Sequence, residues 1–441
     1  MTISIVAVNK LKPHPQNART HSKKQIRQIA QSIEEFGFTN PVLIDGKNNI
    51  LAGHGRVEAA KLAGLAEVPC VRINHLTSAQ KRAYILADNR LAELSGWDEK
   101  LLKIELEEIN RLDCDLDLTL TGFDTPEIDN LLQPDAKPIP EKADFLAADI
   151  PPRTHPGDLW QLGPHKLFCG DATKPQSYAM LLGNEKAHLI VTDAPYNLSR
   201  AQIRKTGPKA DFAMAAGEMS QSEFTQFLSG VFTLLVQYSV PGSLHYAFMD
   251  WRHVGEILRA GRVYSELKNI CVWNKLSGGM GSLYRSQHEL VFVFKNGTVS
   301  HTNNVELGSH GRYRTNVWDY PGIYINGKAN RANIHLHPTV KPVGLLADIL
   351  LDASRRKDIV LDPFGGSGST LLAAERTGRQ ARLMEIDPHY CDVILYRYEQ
   401  LEGRAIKLLH REETNENTKK ENRISHSNKT TRKLRIHRRV R

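Results

Sequence analysis

The spacing of hydrophobic and polar positions divides the front of the chain into short helices and strands. Apolar residues recur every three or four positions in "KKQIRQIAQSIEEFGF", which predicts an amphipathic helix. Two apolar runs flank Asp45-Gly46, a dipeptide typical of a hairpin turn, and a further helix and strand follow. Thr77 precedes another helical stretch as its N-cap. We predict a small α/β domain over residues 1–95 and a helical extension over residues 96–132.

A change of pattern separates this front part from a larger second domain. Residues 133–156 hold six prolines and no clear hydrophobic period, which indicates a linker. From residue 157 to residue 410, short apolar runs alternate with helical stretches. This alternation predicts an α/β domain built on a mostly parallel sheet that helices cover.

The composition excludes several classes of protein. With 441 residues, of which 41% are hydrophobic, the chain can form two or three packed domains. Its apolar runs are shorter than the ~18 residues of a transmembrane helix, and its N-terminus lacks the layout of a signal peptide. Five scattered cysteines without a CxxC pair argue against a zinc site or disulfides. We therefore expect a cytoplasmic protein with no membrane span and no bound metal.

The net charge of +9 is concentrated at the C-terminal end. Residues 417–441 contain ten Lys or Arg and one acid, so the rest of the chain is close to neutral. A basic, polar tail over residues 411–441 is typical of a disordered, solvated end. It is equally typical of an arm that contacts the phosphates of a nucleic acid. Both interpretations stay open, since a flexible tail can be both.

A glycine-rich turn predicts a ligand site late in the second domain. In "DIVLDPFGGSGSTLLAAERTGRQARLMEID", residues 358–387, a buried strand leads into glycines, a helix follows, and a second strand ends in Glu385. Glycines let the backbone approach a ligand closely, and an acid at the end of the second strand suits a ribose diol. On these residues alone, dinucleotide binding and a turn without a ligand also fit.

An aspartate ends an earlier strand in "HLIVTDAPYNL", residues 188–198. Ligands of open α/β sheets bind at the carboxyl ends of the strands, so this stretch and the glycine-rich turn should face one crevice. A carboxylate, a backbone carbonyl and an aromatic ring can together hold a flat ring that bears an amino group. An enzyme that acts on an extruded base requires such a site.

Several boxes in this domain carry a family resemblance. "DAPY" resembles the catalytic D-P-P-Y box of the DNA amino-methyltransferases, "LDPFGGSGST" their methionine-binding D-P-F-x-G-S-G-T box, and "HPTVKP" their H-P-T-x-K-P box. "LFCGDAT", "VWNK" and "RSQHELVFVFK" resemble further boxes, and the whole covers about 250 residues. The catalytic box precedes the cofactor box, as in the beta group. The resemblance implies a Rossmann-like, S-adenosylmethionine-dependent methyltransferase domain with a circularly permuted motif order.

The resemblance also implies roles for individual residues. Asp193 and the Ala194 carbonyl would accept the two hydrogen bonds of the target amine, Pro195 would keep residue 194 extended, and Tyr196 would stack on the flipped base. Asp362 would contact the methionine ammonium, Glu385 the ribose and Lys341 the methionine carboxylate. The full implied set for the cofactor is Asp171, Thr339, Lys341, Asp362, Phe364, Gly365, Gly366, Ser367, Gly368 and Glu385.

The expected reaction is methylation of adenine N6 in double-stranded DNA. The family usually has proline where this chain has Ala194, and we expect some loss of rigidity and no loss of chemistry, since a backbone carbonyl does the work. An aspartate at the head of the box favours adenine, with cytosine N4 as the alternative. A DNA-binding protein with an inactive methylase domain is a third interpretation. Sequence recognition is expected at residues 295–335, and a mobile loop after the catalytic box.

The front domain resembles the ParB/sulfiredoxin-type N-terminal domain. "ILAGHGRVEAAKLAG" places Gly53, His54, Gly55 and Arg56 at the N-terminus of a helix, a natural anion site. The family's G-E-R-R box binds nucleotide phosphates, but here His54 and Gly55 replace its glutamate and first arginine. Binding of a nucleoside triphosphate, nuclease activity and DNA docking stay open. The oligomeric state is also open, with a dimer as one option.

Overall fold

The computed structural model describes residues 2–15, 17–113, 116–132, 150–198, 217–279, 283–308, 312–322, 324–325, 328–329, 340–401 and 405–411. The chain divides into two compact units, Met1–Ala136 and Lys137–Arg441. Most of the predicted mobile loop after the catalytic box, most of the predicted linker, parts of the recognition region and nearly all of the basic tail lie outside the described residues.

The first unit is a four-stranded sheet with helices. Its elements are β1 Ile3–Ala7, α1 Lys23–Phe36, β2 Val42–Ile44, β3 Ile50–Ala52, α2 His54–Leu62, β4 Glu67–Arg72, α3 Ser78–Glu93, α4 Glu99–Leu112 and α5 Thr125–Leu131. The strand order is β1-β4-β2-β3, in which only β2 and β4 pair in parallel. Thr77 forms the predicted cap, because its hydroxyl accepts from the Gln80 N–H while the Gln80 side chain accepts from the Thr77 N–H.

The second unit is built on a ten-stranded sheet. Its elements are β5 Leu159–Leu162, β6 His165–Cys169, α6 Pro175–Leu182, β7 Ala187–Thr192, α7 Gln221–Gln237, β8 Ser239–Met249, α8 Val254–Ala260, β9 Glu266–Asn274, β10 His288–Lys295, β11 Val317–Asp319, β12 Tyr324–Ile325, β13 Lys328–Ala329, α9 Val343–Ala353, β14 Ile359–Asp362, α10 Ser369–Thr377, β15 Gln380–Glu385, α11 Pro388–Glu399 and β16 Ile406–His410. The order of the large sheet is β11-β9-β10-β8-β7-β14-β15-β6-β5-β16, and β12 pairs with β13.

This sheet is mixed, with the expected parallel strands at its centre and antiparallel strands toward its edges. The five central strands, β8, β7, β14, β15 and β6, run parallel. Antiparallel strands extend them on both sides, with β10 beside β8 and β5 beside β6. The reason is the length of the connections. Two residues, Gly163 and Pro164, join β5 to β6, and so short a turn permits only antiparallel pairing.

Helices cover both faces of the large sheet. Leu189 and Val191 of β7 pack in one apolar cluster with α9, α10 and α11, whereas Ile190 packs in the other cluster with α6, α7 and α8. Because both faces are buried, β7 reads as a continuous apolar run rather than an alternating one. The three-layer arrangement leaves the ends of the strands as the place for a ligand.

The end of the predicted linker packs on the second unit. Ile150 is buried against Val393, and the Thr154 hydroxyl donates to the Asp392 carboxylate at 2.6 Å. Arg153 forms an ion pair with Glu399. Three prolines in residues 150–156 prevent a helix here without preventing such contacts.

Candidate active site

Four neighbouring parallel strands bring the predicted acids to one edge of the sheet. Asp193 directly follows β7, Asp362 ends β14 and Glu385 ends β15. Asp171 is the second residue after the end of β6. Since β7, β14, β15 and β6 are adjacent and parallel, their carboxyl ends meet at the same edge. The two motifs, nearly 170 residues apart, therefore border one crevice.

The glycine-rich turn is shaped by close contacts. The Gly366 N–H donates to Glu385 Oε2 at 2.8 Å, which ties the turn to the end of β15. Gly368 has a φ of +83°, and a Cβ there would lie 3.0 Å from the Ile394 side chain. A Cβ on Gly365 would lie 3.3 Å from the Met384 carbonyl oxygen. Side chains are thus disfavoured at both positions, which keeps the turn tight against β15 and the helix that carries Ile394.

Two acids of this turn are buried and lean toward the protonated form. Burial raises the pKa of Asp362 to about 8, although Thr370 Oγ1 donates to its carboxyl at 2.6 Å. Burial likewise raises the pKa of Glu385 to about 7, against hydrogen bonds from the Asp387 and Gly366 N–H groups. The hydroxyl of Ser369 is buried with no hydrogen-bond partner among the described residues. The two carboxyl groups have no cationic partner among the described residues, which fits a ligand that carries an ammonium and hydroxyls.

A cavity of about 430 Å³ is lined mainly by α7, with Thr173 and Phe227 in its wall, and none of the predicted cofactor residues lines it. The Phe227 ring centroid is 6.3 Å from that of Phe364, and Thr173 donates to Asp171 through its hydroxyl at 2.7 Å. Two of the predicted cofactor residues, Asp171 and Phe364, therefore contact the walls of this cavity. Phe227 was not predicted, since its position on α7 looks like an ordinary core position.

The predicted catalytic aspartate is held by two donors. Tyr196 donates its hydroxyl to Asp193 Oδ1 at 2.7 Å, and Lys341 donates to Asp193 Oδ2 at 2.5 Å. Burial raises the pKa of Asp193, Lys341 opposes that shift, and the nearby Glu289 adds to it. The carboxylate is therefore a stronger acceptor than an exposed one.

Lys341 lies against the catalytic box. Its ammonium is 2.5 Å from Asp193 and 3.3 Å from Glu289, and 5.1 Å from the centre of the Phe248 ring. The rings of Tyr196 and Trp273 lie at 5.5 and 5.9 Å. A contact of Lys341 with the methionine carboxylate stays a prediction, and in this structure the lysine is the partner of the catalytic acid. Thr339 lies outside the described residues.

Glu289 and Lys275 complete this cluster and were missed as functional residues. Lys275 donates to Glu289 Oε1 at 2.5 Å, and Tyr196 lies 3.1 Å from Glu289 Oε2. Hydrogen bonds and ion pairs with the two lysines outweigh burial and lower the pKa of Glu289 to about 2. A signal existed, because "VWNK" and "RSQHELVFVFK" place a lysine after one apolar strand and a glutamate in the next.

The remaining predicted residues of the second unit lie in the same two loops. Ala194 is buried in the apolar cluster of α6, α7 and α8, and Pro195 follows it. Ser367 accepts from Arg397 through its carbonyl at 2.5 Å and its hydroxyl at 3.2 Å. Ser367 is thus engaged by the protein itself. The N–H groups of Gly365, Gly366 and Gly368 are also engaged, by the Met384 carbonyl, the Glu385 carboxyl and the Gly365 carbonyl.

The predicted anion site of the front domain contains its own internal contacts. Gly53 caps α2 with a φ of +100°, and His54 Nε2 accepts from the His14 N–H at 3.2 Å. Arg56 donates to the carbonyls of Asn40 and Pro41 at 2.5 and 3.0 Å. A bound phosphate would have to compete for this guanidinium, and nucleotide binding stays a prediction. Titration with cytidine triphosphate, with Arg56→Ala as the comparison, tests it.

The predicted recognition region is held down by buried ion pairs. Arg312 donates to Asp352 at 2.7 Å and to Asp348 at 3.1 Å, and Arg314 pairs with the same two acids of α9. Arg314 also lies over the Trp318 ring at 5.4 Å. These two arginines are therefore committed to packing the segment and are poorly placed to contact bases. Tyr313 between them is exposed.

Three family profiles match the chain. A DNA methylase profile matches residues 187–396, a ParB-methyltransferase HTH domain residues 100–156, and a ParB N-terminal domain residues 1–90. Among the described residues, no helix is both long and apolar enough to cross a bilayer.

Individual relatives match either part. The ParB-like nuclease domain-containing protein YnaK of Escherichia coli is 49% identical over 75 residues, which are 17% of this chain and 86% of that protein. The type II methyltransferase M.HpaI of Haemophilus parainfluenzae is 22% identical over 246 residues, 52% of this chain and 72% of that protein. The DNA adenine methyltransferase YhdJ of Escherichia coli is 39% identical over 90 residues, 20% of this chain and 29% of that protein.

Among solved structures, the M1.HpyAVI–SAM complex has a TM-score of 0.39 at 19% identity, over 52% of this chain and 97% of that one. The methylase profile covers both the catalytic box and the glycine-rich turn, and the ParB profile covers most of the small front domain. The chain carries an N6/N4 DNA methylase domain, and a ParB N-terminal domain precedes it.

Proposed function

We propose that the protein transfers a methyl group from S-adenosylmethionine to adenine N6 in double-stranded DNA, on a base that is flipped out of the helix. One observation carries this proposal. The acid of the catalytic box, Asp193, and the buried acids of the glycine-rich turn, Asp362 and Glu385, end adjacent parallel strands and face the same crevice.

The residues of the catalytic box suit the activation of a weakly nucleophilic amine. The lone pair of an exocyclic amine is delocalised into the base, so the nitrogen is a poor nucleophile. Asp193 and the Ala194 carbonyl would accept its two N–H groups and hold the nitrogen pyramidal, aimed at the methyl group. Tyr196 would stack on the base through the face of its ring.

The glycine-rich turn suits the cofactor, which supplies an electrophilic methyl group on a sulfonium. Asp362 would take the methionine ammonium and Glu385 the ribose hydroxyls, both from positions where they now lack a cationic partner among the described residues. Asp171 and Phe364, which contact the cavity-wall residues Thr173 and Phe227, would receive the adenine.

Adenine is the proposed target rather than cytosine. An aspartate heads the catalytic box, which the family resemblance associates with adenine N6. The relative YhdJ is named a DNA adenine methyltransferase, and it matches this chain at 39% identity over 90 residues.

The test is to incubate the protein with unmethylated DNA and S-adenosylmethionine, digest the DNA to nucleosides and identify the product by mass spectrometry. We expect N6-methyladenine from the natural chain and none from Asp193→Ala. Asp250→Ala is the matched control, because Asp250 follows the neighbouring strand β8 and pairs with Arg252 instead. N4-methylcytosine would keep the mechanism and replace the base. The absence of both products would refute the proposed function.

A further inference from the structure

Four charged side chains form a closed, charge-balanced cluster at the catalytic box. Lys341 and Lys275 supply two positive charges, and Asp193 and Glu289 supply two negative ones. The exposed fraction is 6% for the Lys341 side chain, 13% for Glu289 and 20% for Asp193. Charges with so little access to water need partners, because an unpaired buried charge is costly.

This arrangement raises a conflict for the proposed reaction. Lys341 occupies Asp193 Oδ2 at 2.5 Å, and the Tyr196 hydroxyl occupies Oδ1 at 2.7 Å. A target amine needs at least one of these oxygens as its acceptor. Lys341 is the competing donor with the full charge, so its retreat from Oδ2 would make this oxygen a better acceptor for the amine.

The structure offers Lys341 a second acceptor within reach. Glu289 Oε2 lies 3.3 Å from the Lys341 ammonium, and the other oxygen of Glu289 is fixed by Lys275 at 2.5 Å. Three aromatic rings surround the same ammonium, so it can shift toward Glu289 without entering water. The charge of Lys341 would then stay compensated while Asp193 turns to the amine.

We propose that Glu289 is a positioning residue that takes over the Lys341 ammonium when the target amine binds Asp193. The inference rests on the proposed function, in which Asp193 accepts from the amine. Glu289 itself touches neither the base nor the methyl group. Lys275 holds Glu289 in place, and Lys341 moves between two carboxylates rather than between a carboxylate and solvent.

The test is the single-turnover rate of methyl transfer by the full chain, with DNA affinity measured separately. Glu289→Gln keeps the shape of the side chain and removes its charge. We expect the rate to fall about 10- to 100-fold, the range for loss of a group that positions a reacting side chain, while DNA affinity is unchanged. Glu289→Asp retains the charge and should recover part of the rate.

A pH profile separates this role from a merely structural one. The charges around Asp193 come from Lys341, Glu289 and Tyr196, with Asp362 also close enough to interact. Glu289 contributes to the raised pKa of Asp193, so its neutralisation should move the acid limb of the rate profile to lower pH. Loss of packing alone would lower the rate without moving the limb.

Glu256→Gln is the matched control, because Glu256 is a buried acid that pairs with Arg259 of α8 rather than with Lys341 or Lys275. If Glu289→Gln transfers methyl as fast as the natural chain, or loses only as much rate as Glu256→Gln with an unmoved acid limb, the inference is overturned. If the natural chain transfers no methyl group, the proposed function fails first. If the natural chain is active and Asp193→Ala is not, the proposed function stands. The Glu289 variants then test only the role of Glu289.

Discussion

At the scale of single residues, the raised pKa of Asp362 links the crevice to stability. In the unfolded chain this carboxyl ionises near its ordinary pKa, whereas in the folded chain it stays protonated up to about pH 8. The folded state then binds the extra proton, so stability falls as pH rises between these two values. Glu385, with a pKa of about 7, acts in the same direction.

Asp362→Asn should therefore stabilise the protein while abolishing its use of the cofactor. Asparagine cannot ionise, so its advantage over the natural chain should grow between about pH 5 and about pH 9. Thermal melting at both pH values, with the exposed Asp319→Asn as control, measures the first effect. Calorimetric titration with S-adenosylmethionine measures the second. An equal shift at both pH values would contradict the explanation.

Residues at strand ends could be predicted from the sequence, and their partners could not. Asp193, Asp362 and Glu385 each follow an apolar run, which marks them as ends of buried strands. Nothing local says that Lys341 contacts Asp193, because the two are 148 residues apart in the chain. Glu289 escaped prediction for the same reason, since its role depends on lysines from two other segments.

At the scale of elements, the arginines before β11 hold their segment against α9. Arg312, with 7% of its side chain exposed, and Arg314 share Asp348 and Asp352. Burial raises the pKa of Asp352, and the two arginines oppose that shift. The segment thus depends on buried charges that stabilise it only as a complete set.

Arg312→Met should destabilise the second unit by about 3 to 5 kcal/mol, because it leaves buried carboxylates without one of their partners. Arg259→Met is the control, since half of the Arg259 side chain is exposed in its pair with Glu256, and there we expect less than about 1 kcal/mol. Denaturant unfolding followed by tryptophan fluorescence compares them. If both variants lost a similar free energy of unfolding, the buried ion pairs would contribute no more to stability than the exposed pair does.

The hydrophobic pattern predicted the positions of the helices and strands better than it predicted the direction in which the strands pair. The runs around the catalytic box and the glycine-rich turn became central parallel strands, as expected from the helices between them. The antiparallel flanks were missed, although Gly163-Pro164 is a turn signal between two apolar runs. A short connection between two strands favours antiparallel pairing. The expected alternation of helices and strands took no account of two antiparallel pairs of consecutive strands, β5–β6 and β9–β10.

At the scale of the whole molecule, the basic tail should govern the salt dependence of DNA binding. Residues 417–441 carry ten Lys or Arg and one acid, and each phosphate contact that they make adds about 0.9 to the slope of log affinity against log salt. Deleting the tail should flatten this slope, measured by fluorescence anisotropy. A Gly/Ser tail of equal length is the control for length. An unchanged slope would rule out a phosphate-contacting arm.

The first and last strands of the second unit lie side by side at one edge of its sheet. β16 pairs with β5, and Arg411 forms an ion pair with Asp158 at 2.6 Å, so these two ends of the unit lie close together. A gene rearrangement that joined these neighbouring ends and opened the chain at another loop would leave every strand where it is. Evolution can therefore shuffle the order of the boxes in such an enzyme without rebuilding its crevice.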